Sequence, residues 1–367
     1  MKIPIMNLGP ENAVLAKAVL PRIQSVLEAG DFMLGEEVTR FEEAYAEWNQ
    51  RRFGIAVNSG TDAIALALRA FGVGPGDEVI TAPNTFVGTV GAIIATGATP
   101  VLADVGDDEN IDPAGIEAAI SPRTRAVVPV HLRGRPARMD EIMAIARAHD
   151  LIVVEDCAQA HGATFRGRKA GTFGNAGAFS LHPQKILGAC GDAGIIVTDN
   201  AEAAARMHLL HHHGLANRDD VSCPGVNSRL DTIQATILNE KLKHLDGWVR
   251  RRRELAAMYI EALSDLPLQL PTDGPHEQCA YYLFTLQCKE RDALQQWLHD
   301  RGIDARIHYA RPLHLQPAFE GRFGDATKFP RVLRQSSEIL SLPLYPSLTE
   351  HALQEVCEAV RSFYAQR

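Results

Sequence analysis

The chain has 367 residues, long enough for one large domain plus a smaller one. Hydrophobic residues make up 46%, charged residues 22% and aromatic residues 6%, a globular balance that excludes disorder, collagen-like repeats and fibrous arrays. With 37 Lys and Arg against 45 Asp and Glu the net charge is −8, which leaves no basic footprint for nucleic acid or an anionic membrane.

The N-terminal segment carries a single lysine, Lys2, and no long apolar run, so no secretory signal is expected. No apolar stretch approaches a bilayer span. Six scattered cysteines form no Cys-x-x-Cys pair and read as reduced thiols of a cytoplasmic protein, without a disulfide framework or a metal site.

From Phe53 to Asp199 short β-branched runs alternate with segments of helical period, the pattern of a largely parallel sheet covered by helices on both faces. Strands are expected at 55–58, 78–82, 100–104, 125–131, 151–156, 176–181 and 194–198, and helices at 61–71, 85–96, 113–120 and 139–149. After Arg229 comes a long helical stretch, 230–262, broken near Asp246-Gly247 and suited to bridge two domains. Its run Arg250 to Arg253 reads as a solvated face or ion-pair site. The remainder suggests a smaller α+β unit, with strands at 281–288 and 304–309 and helices at 291–301 and 349–364.

In an open parallel sheet ligands gather at the carboxyl ends of the strands. After the first strand, Asn58-Ser59-Gly60-Thr61-Asp62 opens a helix. Small residues with free N–H groups make a phosphate cradle there, helped by the Ser59 and Thr61 hydroxyls, although the same run is also an ordinary helix cap. After the second strand, Phe86 either stacks on a planar cofactor or serves as a hydrophobic staple. The apolar strand ending in Glu155-Asp156 delivers acids to the ligand edge, where an anion needs a cationic partner such as a protonated pyridine nitrogen. A strand-end Asp can equally cap the following turn. Lys185 lies on a turn between two strands, where desolvation can make it a Schiff-base nucleophile, and Ser180 is placed to contact a second phosphate oxygen.

Together the segments 58–62, 83–86, 155–162, 179–194 and 225–234 resemble the motifs of the pyridoxal-phosphate-dependent sugar aminotransferases called the DegT/DnrJ/EryC1/StrS family, and the resemblance covers almost the whole chain. It implies an α/β protein of pyridoxal phosphate fold type I, aspartate-aminotransferase-like. The large cofactor domain would span 1–245 and the small C-terminal domain 246–367, with the N-terminal segment packing on the small domain. It further implies that Lys185 carries pyridoxal 5′-phosphate, Asp156 pairs with the pyridine nitrogen, Gln159 packs by the ring and Phe86 stacks on its other face. Gly60, Thr61 and Ser180 match phosphate-binding positions, beside the Ser59 hydroxyl read above, and Asn227 matches an asparagine given to the phosphate by the neighbouring subunit of a homodimer. Arg229 resembles an arginine near that shared site, and Tyr309 and His314 resemble residues bordering the sugar pocket.

The chain departs from the family wording at Leu132-Arg133-Gly134-Arg135, where many members read Leu-Tyr-Gly, at Ala280-Tyr281, and at Pro183-Gln184-Lys185. Arg133 and Arg135 could meet an anionic group on the acceptor, or lie on a solvated loop. His211-His212-His213 invites a metal reading, but successive side chains on a helix point roughly 100° apart and do not converge. The implied reaction moves an amino group from an amino acid, glutamate or glutamine, to a keto sugar, expected to be nucleotide-linked. The alternatives are a dehydratase of the same family, which has histidine in place of the lysine, and a silent ligand-binding regulator. Lys185 opposes the first and the full set of cofactor residues the second.

Overall fold

All seven strands expected between Phe53 and Asp199 form one central sheet in the computed structural model, which describes residues 2–366. The strands in chain order are β1 (Phe53–Val57), β2 (Glu78–Thr81), β3 (Thr99–Leu102), β4 (Thr124–Val127), β5 (Ile152–Asp156), β6 (Thr164–Phe165), β7 (Arg168–Lys169), β8 (Ala176–Ser180), β9 (Gly194–Thr198), β10 (Glu277–Gln278), β11 (Phe284–Gln287) and β12 (Ile339–Leu342). The large sheet runs β1-β9-β8-β5-β4-β2-β3. Its pairings are parallel from β3 to β8, whereas β9 runs antiparallel to both neighbours.

Strands such as β5, with Val153 and Val154 fully buried, read as continuous apolar runs because helices cover both faces. On one face the helices Gly60–Ala70, Val87–Ala95 and Ala201–Leu210 pack Leu66, Ile93 and Met207 against Ile55, Val79 and Ile196. The other face is closed by Pro113–Ala119 and Met139–Ala148 toward β3, and by Glu36–Asn49 toward β1.

Both edges of the sheet are blunted. Gly54 of β1 approaches the helix Glu36–Asn49 so closely that a Cβ on it would strike the Glu42 carbonyl, and the Ala56 N–H donates to the Glu42 carboxylate at 2.7 Å. The opposite edge, β3, carries Pro100, which has no N–H to offer.

The C-terminal unit packs the helices Leu245–Leu263, Arg291–Asp300 and Glu350–Ala365 on the β11–β12 pair, around Tyr259, Phe284, Leu298, Leu340 and Val356. Ile3 joins this core and bridges to Ile303, so the N-terminal segment lies on this unit.

Three expectations are corrected here. The long helical stretch breaks at Lys243 and His244, not at Asp246-Gly247, because Leu245 turns inward and a tight i→i−3 bond from His244 to Lys241 ends the first helix. Gly247 is absorbed inside the second helix, at a cost of roughly 0.5–1 kcal/mol relative to alanine. The 304–309 run is not a strand: Arg306 alone pairs with Ser341, while the Asp304 carboxylate accepts from the Ile5 N–H and the Arg306 guanidinium. Finally, the arginine run divides: Arg251 and Arg253 are ion-paired with Glu254 and Asp273 as expected, but Arg252 is buried, and its Nη1 donates to the carbonyls of Tyr281, Tyr282 and Leu344. That grip keeps Tyr281 and Tyr282 out of the strand, which begins only at Phe284. Among the described residues no helix is long and apolar enough to cross a membrane.

Candidate active site

The carboxyl ends of β1, β5 and β8 open on one cleft of about 380 Å³. Ser59, Gly60, Thr61 and Ser180 line one end of it, and Phe86, Asp156, Gln159, Lys185 and Tyr309 the rest. Ser59 caps the helix Gly60–Ala70, its Oγ accepting from the Asp62 N–H at 3.1 Å. The N–H groups of Gly60 and Thr61 lie in the first turn, where no intrahelical carbonyl is available. Glycine is required at position 60 because a Cβ would stand 2.6 Å from that of Ser180. The helix N-terminus and the end of β8 therefore converge into a small, donor-rich cradle suited to a phosphate.

Asp156 sits opposite, 4% exposed. Its Oδ2 accepts from Thr89 Oγ1 at 2.7 Å, its Oδ1 accepts from the Ala158 N–H at 3.1 Å, and Thr89 is tied to Thr85 at 2.8 Å. Burial pushes this carboxyl above the ordinary range, against the pull of those hydrogen bonds and of Lys185. Glu155 points the other way, as strand alternation demands. It accepts from the N–H groups of Gly171, Phe173 and Gly174 and from His131 Nε2. His131 Nδ1 accepts from the Ala137 N–H, so Nε2 carries the proton. Cys157 lies close to this pair, but their lone pairs are committed and burial pushes its thiol far from thiolate.

Lys185 is half-buried on a turn closed by its own N–H to the His182 carbonyl at 2.8 Å. Its Nζ lies 4.9 Å from the centre of the Tyr282 ring. Burial pushes its ammonium down to about 8, with Asp156 pulling the other way. Gln159 accepts from the Arg133 N–H at 2.6 Å and donates to the Tyr309 hydroxyl at 3.3 Å. Phe86 is 53% exposed and its ring lies 6.0 Å from that of Tyr309, so it faces the cleft instead of stapling the core. Behind Ser180, His161 donates from Nε2 to the Ser180 carbonyl at 3.0 Å and accepts at Nδ1 from Tyr45 at 2.8 Å; burial pushes it down to about 4.

Other expected residues lie outside this cleft. Asn227 is exposed and accepts from Arg229 Nε at 3.0 Å, while Arg229 Nη1 meets His212 Nδ1 at 3.2 Å. His314 packs on Phe329 at 4.7 Å. Arg133 is ion-paired with Glu109, and Arg135 with Glu277 at 2.8 Å. Both guanidiniums thus meet this chain's own acids, and the Arg133 side chain, 11% exposed, does not lie on a solvated loop.

Thr89, Tyr282 and His308 also line the cleft and were not foreseen. Thr85 and Thr89 could have been found from their four-residue spacing at a helix start. Tyr282 comes from the distant C-terminal half and carries no local signal.

The arrangement fits pyridoxal 5′-phosphate. Asp156 is a desolvated carboxylate suited to a ring N–H, Lys185 an amine near enough to neutral to bond an aldehyde, and the Gly60–Ser180 cradle matches the phosphate.

A sequence model of the DegT/DnrJ/EryC1/StrS aminotransferase family matches residues 14–361. The dTDP-3-amino-3,4,6-trideoxy-alpha-D-glucose transaminase of Streptomyces venezuelae is 41% identical over 99% of this chain and 96% of its own. The UDP-N-acetyl-3-dehydro-alpha-D-glucosamine 3-aminotransferase of Acidithiobacillus ferrooxidans is also 41% identical, over 98% of this chain and 97% of its own. The crystal structure of S. venezuelae DesV, in complex with a ketimine intermediate, superposes with a TM-score of 0.97 at 41% identity, covering 100% of this chain and 99% of that one.

Proposed function

The chain belongs to the DegT/DnrJ/EryC1/StrS aminotransferase family and is a pyridoxal-phosphate-dependent aminotransferase, and on that premise we propose that it aminates C3 of a 3-keto sugar linked to a nucleoside diphosphate. The observation that carries the chemistry is the convergence of Lys185 and Asp156 in one cleft beside a donor-rich helix start. The choice of C3 is supported by the two relatives above, both named for nitrogen or a ketone at that carbon. The donor is an amino acid, glutamate or glutamine, and the setting is the cytoplasm.

When bound, pyridoxal phosphate supplies an electron sink for the carbon that loses its proton. Asp156 holds a proton on the ring nitrogen, which keeps that sink strong. Lys185 Nζ, lowered to about 8, is partly neutral near pH 7.5 and takes the proton from one carbon and returns it to another. Gln159 and Tyr309, joined by a hydrogen bond, would hold one face of the bound ring, and the exposed Phe86 ring would cover the other and exclude water.

The substrate reading is tested by loading the enzyme with the amine form of the cofactor and offering nucleotide sugars with the ketone at C2, C3 or C4. Return of the aldehyde absorption is expected with the C3 ketones. A preference for C4 ketones would overturn the position, and no response to any of them would overturn the sugar.

We further place the division between the two domains at Leu245 and Asp246, and read the protein as a homodimer whose sites take Asn227 from the partner subunit. Phe32, Leu34 and Val226, 46%, 41% and 39% exposed, support a contact face near Asn227, and Met33 bridges to Asp231 beside it. Mixing Lys185→Ala with Asn227→Asp protein gives about half mixed dimers, each with one intact site, so about a quarter of wild-type activity is expected to return. No recovery would mean that both residues serve the same chain's site.

Gly60→Ala is expected to push Ser180 away and weaken cofactor binding at least about tenfold, read by titrating cofactor-free protein with pyridoxal phosphate. Unchanged affinity would remove the cradle from the phosphate site.

A further inference from the structure

Glu109, Arg133 and Tyr281 all have left-handed backbone, with φ of 65°, 58° and 49°, and they meet beside the cleft. Residues other than glycine rest there only where their surroundings hold them. Here the hold is dense. The Tyr282 N–H donates to the Arg133 carbonyl at 2.9 Å, and the Ala280 N–H to the Gly134 carbonyl at 2.8 Å. Gly134 has φ 92°, and a Cβ on it would stand 2.9 Å from the Tyr281 nitrogen and 3.1 Å from the Gln159 carbonyl oxygen.

Arg133 occupies the centre of this junction. Its N–H fixes Gln159 Oε1 at 2.6 Å, its Nη2 donates to the His308 carbonyl at 2.9 Å, and its Nη1 is paired with Glu109. Glu109 is held in turn by Gln287 Nε2 of β11 at 2.7 Å. Each side chain of the ion pair is 11% exposed. The residue after His308 is Tyr309, whose hydroxyl accepts from the same Gln159.

We propose that Arg133 is a positioning residue: it clasps the loop bearing His308 and Tyr309 to the sheet domain and so sets Tyr309 and Gln159 over the acceptor side of the cleft. The planar fork of a guanidinium reaches a carboxylate and a carbonyl from two separate nitrogens, whereas a lysine must serve both from one nitrogen and the commoner tyrosine has a single hydroxyl. The kinetic consequence rests on the amino-transfer reading; the structural consequence does not.

Truncating Arg133 alone would strand the buried Glu109 carboxylate. The informative variant is Arg133→Met combined with Glu109→Gln, whose new amide oxygen still accepts from Gln287. Amide hydrogen exchange, read by mass spectrometry with and without pyridoxal phosphate, is expected to speed up at least about tenfold across residues 306–311, while the helix Glu350–Ala365 keeps its rate. Arg133→Lys should fall between. In the loaded enzyme the acceptor half-reaction should lose at least about tenfold more than the donor half-reaction. Wild-type exchange across 306–311, or equal loosening of the whole C-terminal unit, overturns the clasp. Loosening confined to the loop upholds it even if no keto sugar is turned over, a result that would count against the amino-transfer reading alone.

Discussion

Lys185→Ala is expected to lower turnover by a factor of about 10⁴ or more, because the variant loses both the nucleophile and the proton carrier. The fold should survive, since the Lys185 side chain is half-buried and donates no structural hydrogen bond to another element among those described. Borohydride reduction of the loaded wild-type enzyme, followed by peptide mapping, should find the pyridoxyl group on Lys185. Two other lysines, one half-buried and one buried, serve as internal controls. Lys169 holds the Trp48 carbonyl and lies over the Trp48 ring, and Lys241 donates to the Gly188 carbonyl at 2.7 Å; neither lines the cleft. A label on either would sink the assignment.

Asp156→Asn should separate activity from stability. With a neutral amide the ring nitrogen loses its charged partner, and the proton-transfer step is expected to slow by about 10²–10⁴-fold, measured as single half-reactions. The amide can still accept from the Ala158 N–H and donate to Thr89 Oγ1, so the local frame is kept. Without cofactor the effect on stability has the opposite sign. Burial raises the folded-state pKa of Asp156 above its ordinary value of 3.8, so the folded chain binds that proton more tightly than the unfolded one. Its contribution is therefore fully present below 3.8 and declines as pH rises through the folded value. Asparagine has no such decline, and the cofactor-free variant is expected to melt at or above wild type at pH 7.5. Thermal scans at pH 5 and 7.5 check this; a variant that melts well below wild type at both would make Asp156 a structural acid. Glu155 cannot take over the role, because its oxygens are committed to three backbone N–H groups and His131 on the far side of the strand.

Much of the cofactor side was legible in the sequence because its signals are local. Ser59 caps a helix that begins where β1 ends, and Asp156 and Ser180 are the last residues of their strands. Each is announced by a β-branched or small-residue run followed by a turn, and the fold brings such ends together whatever the rest of the chain does. The acceptor side was not legible, because it is made by pairs far apart in sequence. Arg133 reads locally as an exposed cation; only with Glu109, His308 and Gln159 around it does its role change. The 304–309 run has strand-like composition, yet its alternation is overridden by Asp304, which binds Arg306 and the N-terminal segment. Arg252 misleads in the same way, since a run of four arginines conceals one whose partners are carbonyls from three separate residues.

The blunted rims of the large sheet restrict how two copies can meet. An incoming strand at β1 would have to displace the Glu36–Asn49 helix and the Glu42 carboxylate, and one arriving at β3 would find a gap in its ladder at Pro100. Extension of the large sheet across a two-fold axis, with main chain zipped to main chain, is therefore opposed at both of its edges. In the homodimer proposed above, recognition between copies would then fall to side chains and loops, whose shape differs from one sequence to the next. Two related enzymes made in the same cell, each sealed in this way, could then sort into their own pairs, because a generic backbone edge that would join any partner is not on offer.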